Sequence, residues 1–84
     1  MRYSKQELMK LIQQTVYEVT KIQVKQMDTN LLDTRLLIHP ADFLYIFDIL
    51  EKKLNVPAAD ILKNHDYTVM RVDVMSEALL ELLQ

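Results

Sequence analysis

The sequence contains no glycine and no cysteine, and only two prolines among its 84 residues. Without cysteine there can be no disulfide, zinc knuckle or thiol nucleophile, so stability has to come from packing alone. Such a composition suits a reducing cytoplasm. Glycine is the residue that tight hairpin turns and phosphate-cradling loops use at least cost. Its absence therefore disfavours β-hairpins, P-loops and dinucleotide sites. Also missing is an apolar run approaching the roughly 20 residues that cross a bilayer. The N-terminal stretch MRYSKQELMKLIQQ is amphipathic and lacks an uninterrupted signal-peptide core. The expectation is a cytoplasmic, untargeted protein with no membrane partner. Ten Lys/Arg against twelve Asp/Glu leave a formal charge of −2. That field is too weak to hold a nucleic-acid backbone by counterion release, so nucleic acid is not an expected partner. The acidic excess lies in the second half, from His39 to Gln84.

What is present is the balance of a foldable chain: 50% apolar and 26% charged residues. The length predicts one domain, residues 1–84, with no internal repeat or flexible linker. A chain this short buries only about 60% of the surface its unfolded form exposes. That leaves little room for a deep enclosed pocket beside a stable core, and speaks against a stand-alone enzyme.

Hydrophobic spacing predicts an all-α fold. Ser4-Lys5-Gln6-Glu7 has capping-box spacing. Leu8, Leu11, Ile12, Val16, Val19 and Ile22 follow at steps of three and four, predicting a first helix from Ser4 to about Val24. Met27 to Ile38 mixes turn formers with leucines and reads as a long loop, with a short helical turn around Asn30 to Asp33. A proline suits the first turn of a helix, so Pro40 and Pro57 each mark a helix start. Phe43, Ile46, Phe47, Leu50 and Leu54 form the stripe of a middle helix, Pro40 to Leu54. A short helix over Pro57 to Asn64 is expected to seat Ile61 and Leu62. After the turn Asn64-His65-Asp66, the spacing of Val72, Met75, Leu79 and Leu83 predicts a last helix over Arg71 to Leu83, with Thr68-Val69 packing in ahead of it.

This order of elements, and the stretch from Leu32 to Val69, resembles the acyl carrier protein family. There a long loop leads through a Leu-Gly-x-Asp-Ser-Leu motif into the recognition helix. The matching residues are Leu36-Leu37-Ile38-His39-Pro40-Ala41, then Asp42, then the helix end Ile49-Leu50-Glu51-Lys52-Lys53-Leu54, and Tyr67-Thr68-Val69 before the final helix. The resemblance implies a bundle of three main helices plus one short helix. It also implies what has been lost. The family's serine carries the phosphopantetheine arm; here Pro40 stands in its place, flanked by His39 and Ala41, and Leu37 stands where the glycine would be. Phosphopantetheine is therefore expected to be absent, and no other cofactor is implied. Loss of the serine is similar to what is found in small acyl-carrier-related proteins of bacterial peptide-maturation systems.

Projecting the middle helix at about 100° per residue puts Leu44, Tyr45, Asp48, Ile49 and Lys52 opposite the core stripe. Ala41 and Glu51 complete the surface that matches the family's recognition helix. The expected function is docking on a biosynthetic or peptide-modifying enzyme. Leu44, Tyr45 and Ile49 would supply apolar contact, with Tyr45 as anchor, and Asp48, Glu51 and Lys52 would set orientation at the rim. Alternatively, these apolar side chains pack on the loop or on the helix after Pro57.

Two other functions stand beside this one. The first is a genuine acyl or peptidyl carrier with its arm attached elsewhere, for example at Ser76; Ser4, the other serine, is the helix cap. The second is a small enzyme, for which His39 beside Asp42 is the one candidate base. As the residue before Pro40, His39 is more simply a helix start. His65 and Asp66 lack metal-site spacing and read as a solvated turn. Met9, Met27, Met70 and Met75 read as fillers of irregular core gaps, and Lys52-Lys53 as solvated surface.

Overall fold

The first helix, α1, spans Lys5–Thr20. The Ser4 hydroxyl accepts from the Glu7 N–H at 3.1 Å and the Glu7 carboxylate accepts from the Ser4 N–H at 3.0 Å, closing the expected capping box. The helix stops a turn earlier than the spacing predicts. Thr20 donates its hydroxyl to the Val16 carbonyl at 2.7 Å and accepts from the Ile22 N–H at 3.0 Å, and Lys21 turns into the left-handed region at φ 63°. The residues beyond are rich in β-branched types, which gain little from a helix. They leave the helix as an irregular segment, tied back by Gln13, whose amide donates to the Val24 carbonyl at 2.6 Å. Val24 is buried from this non-helical segment, not from a helical stripe.

We describe residues 3–84 from a computed structural model. Met1 and Arg2, which the single-domain reading includes, lie outside the described residues. The architecture is all-α, with no named strand among the described residues. Helix α2 spans Pro40–Leu54 and α3 spans Val72–Leu83, while Thr34–Leu36, Ala58–Leu62 and Tyr67–Met70 are 3₁₀ segments. Helix α1 packs on both α2 and α3 around one core of Leu8, Ile12, Val16, Ile46, Leu50, Val72, Met75 and Leu79, all essentially inaccessible to solvent. Each such aliphatic side chain contributes about 1.5 to 3 kcal/mol through burial. Met70 and Met75 are buried within it, and Met9 and Met27 pack at its edge.

Two connections differ from expectation. The turn around Asn30 to Asp33 is not helical: Asn30 closes it through its carbonyl, which accepts from the Asp33 N–H at 3.0 Å, and through its side chain, which accepts from the Leu32 N–H at 2.8 Å. The 3₁₀ segment begins only afterwards, at Thr34. This loop is stitched to the start of α3 by a single antiparallel bridge, Asn30 to Arg71, and by the Leu31 N–H to the Met70 carbonyl at 2.9 Å. The short helix after Pro57 is a 3₁₀ segment, with consequences for Leu62. With three residues per turn, Ala58 and Ile61 eclipse one another and both bury, so Leu62 lies off the buried face and is exposed rather than seated in the core.

Candidate functional site

His39, Pro40 and Ala41 form the start of α2. His39 caps the helix: its Nδ1 accepts from the Ala41 N–H at 3.1 Å, while the Asp42 carboxylate accepts from the His39 N–H at 3.2 Å. Pro40 follows in the first turn, where its missing N–H leaves no donor unpaired. His39 Nδ1 thus serves the Ala41 N–H and the Asp42 carboxylate serves the His39 N–H, which is a capping arrangement. Upstream, Asp33 accepts from the Arg35 N–H at 2.9 Å and pairs with its guanidinium at 2.6 Å. The hydrogen bonds from Arg35, side chain first, hold the Asp33 carboxyl at about 2. Between them Leu37 adopts φ 58°, the left-handed conformation that glycine takes at least cost, with its side chain 85% exposed.

The two serines are both committed locally. Ser4 caps α1. Ser76 is buried in α3, its hydroxyl donating to the Asp73 carbonyl at 2.6 Å, so an arm could reach it only if that turn opened.

On the outer side of α2 lie all seven residues singled out from the sequence. Ala41, Leu44, Tyr45, Asp48, Glu51 and Lys52 are exposed, Leu44 by 74% and Tyr45 by 63%. Ile49 is half-buried at one margin. Lys52 pairs with Asp48 at 3.1 Å across one turn, a solvated contact of small energy. The face is not uniform, however. Leu44, Asp48 and Glu51 turn toward a groove between α2 and residues 58–70, whereas Tyr45, Ile49 and Lys52 do not line it.

That groove, of about 580 Å³, is the feature missed by reasoning from sequence. Phe43, Phe47, Val69 and Met70 form its floor. Leu32, Leu44, Leu62 and Tyr67 stand along its rim, all exposed, Tyr67 by 71%. The charged side chains lining it are Asp48, Glu51 and Asp66, with His65 beside them and no lysine or arginine. Asp66 accepts from the Thr68 hydroxyl at 2.6 Å and its N–H at 2.9 Å. Those bonds start the Tyr67–Met70 segment and lower the carboxyl from its ordinary value. The signal that could have revealed the groove is the lone Leu62 beside eclipsed Ala58 and Ile61, followed by a tyrosine just past the Asp66 cap.

A second concavity, between α1 and the irregular segment after it, is lined mainly by lysine, glutamine and glutamate, with Tyr17 beneath the Lys21 ammonium at 5.6 Å. No cluster of three or more potential metal ligands occurs among the described residues. Among the described residues no helix is long and apolar enough to cross a membrane. Comparison with known proteins finds no matching family model, no matching curated protein and no matching solved structure.

Proposed function

We propose that this chain is a non-enzymatic, acyl-carrier-protein-like interaction module that has lost its phosphopantetheine site and docks through α2 on a biosynthetic or peptide-modifying enzyme of a bacterial cytoplasm. In this reading α1, α2 and α3 are the three main helices of a carrier bundle, and the Ala58–Leu62 segment is the short fourth. One observation carries the proposal. At the position where a carrier would present its serine, His39 and Pro40 serve only to start a helix, while Leu44 and Tyr45 remain exposed just beyond. The attachment chemistry is replaced by capping, and the surface a partner would touch is kept. Exposed tyrosine and leucine beside Asp48, Glu51 and Lys52 provide an apolar anchor with a charged rim.

Intact mass after incubation with coenzyme A and a broad phosphopantetheinyl transferase is expected not to change. A gain of one arm would restore the carrier alternative. The double variant Tyr45→Ala, Ile49→Ser is expected to keep the helical circular-dichroism spectrum of the parent yet lose its partner in a pull-down from the native host. Retention of the partner would remove the docking role of α2, and unfolding would mean that Ile49 belongs to the core.

A further inference from the structure

We propose that the groove between α2 and residues 58–70 receives a short amphipathic helix from a protein or peptide partner, apolar along one face and bearing lysine or arginine at its edges. The inference rests on the interaction-module reading and narrows its partner to a chemical class.

Shape and composition give the apolar half of the argument. Seven large apolar side chains are exposed on the described residues, and four of them, Leu32, Leu44, Leu62 and Tyr67, meet at this one groove. Scattered apolar residues are ordinary on a surface, but convergence over a floor that already includes buried phenylalanine and methionine is not. The wall from Leu44 to Glu51 covers about two helical turns, roughly 10 Å at the helical rise. An occupying helix of similar length would present side chains at i, i+3, i+4 and i+7 to the floor.

Charge gives the other half. Three carboxylates and no fixed cation line the groove. Lys52 engages only Asp48, and Glu51 has no ion-pair partner among the described residues. Thr68 keeps Asp66 in its ionised form through two hydrogen bonds. A fatty acid or an anionic membrane would set its own negative head group against these carboxylates. A helix edged with lysine or arginine instead pairs with them at the rim while its apolar face fills the groove.

The test uses two synthetic helical peptides with the same leucine stripe, one with lysine and the other with glutamate at the remaining positions. Each is titrated into the full ¹⁵N-labelled chain. The lysine peptide is expected to shift the amides of Leu44, Glu51, Leu62 and Tyr67 and to bind at least about tenfold tighter than the glutamate peptide. That preference should shrink at high salt. Leu62→Ser with Tyr67→Ala, both exposed and so expected to fold, should weaken the lysine peptide at least about tenfold. Asp48→Lys with Glu51→Lys should reverse the preference between peptides. The proposal is overturned if the two peptides bind equally, if shifts fall only outside the groove, if laurate occupies the groove while the lysine peptide does not, or if ultracentrifugation shows a second copy of the chain already covering it. Tyr45→Ala, Ile49→Ser leaves the groove lining intact, so loss of partner docking through α2 and loss of peptide binding can be told apart.

Discussion

The side of the bundle built by α1 and α3 and the side built by α2 and residues 58–70 spend similar apolar content differently. On the first side Leu8, Ile12, Val16, Met75 and Leu79 are fully buried, and Tyr17 is the single large apolar side chain left exposed. On the second, Leu44, Tyr45, Leu62 and Tyr67 stand in solvent beside a buried stripe of Ile46, Phe47 and Leu50. One side is committed to stability. The other leaves these apolar side chains beside Asp48, Glu51 and Asp66, and it is on this surface that the proposed docking rests.

Truncating one residue on each side puts the largest strain on that contrast. Leu79→Ala should cost about 2 to 5 kcal/mol in urea denaturation, and Leu62→Ala less than about 1 kcal/mol. Similar costs would mean that the groove is part of the core. The cap on α2 comes next. His39→Ala should cost about 1 kcal/mol and speed amide exchange in the first turn of α2, whereas His39→Asn, which keeps an acceptor, should cost far less. If only global stability fell, with no local loosening, the cap would not be what orders this wall of the groove. Leu37→Gly works in the opposite direction: it should raise stability by roughly 1 kcal/mol, because glycine takes the left-handed backbone without strain and the exposed leucine side chain forfeits little packing. A loss of stability would show that Leu37 is held by contacts. The smallest effect lies at Asp33. Its folded pKa is depressed from 3.8 to about 2, so its contribution to stability is present above the unfolded value and disappears as pH falls through the folded one. Carboxyl NMR should place the Asp33 midpoint near 2, and Asp33→Asn should flatten the acid limb of the stability profile there. A midpoint at an ordinary carboxylate value would remove the Arg35 clamp ahead of α2.

Much of the scaffold was legible because helices declare themselves locally. The Ser4 to Glu7 box, Pro40 in a first turn and the stripe Ile46, Phe47, Leu50, Leu54 specify starts and faces through residues three and four apart. The range of α2 follows from that spacing, and α3 differs by one residue. Where hydrogen bonds from side chains compete with the helix, spacing misleads: Thr20 and Lys21 end α1 while apolar residues continue beyond it, and Asn30 folds its segment into a turn. The outward residues of α2 were likewise readable, since projection from a buried stripe identifies the opposite face.

By itself the sequence determined the helical class, the caps, the core stripes and the presence of Pro40 instead of a serine at the start of α2, all of them set by residue identity and short-range spacing. Only the tertiary structure decided that Leu44, Asp48 and Glu51 look across at Leu62, Asp66 and Tyr67, and that Ser76 is sealed inside α3. The physical reason is that a groove is a relation between two segments. Whether α2 and a 3₁₀ turn approach closely enough to share a floor depends on how both pack against the core, which no local period encodes.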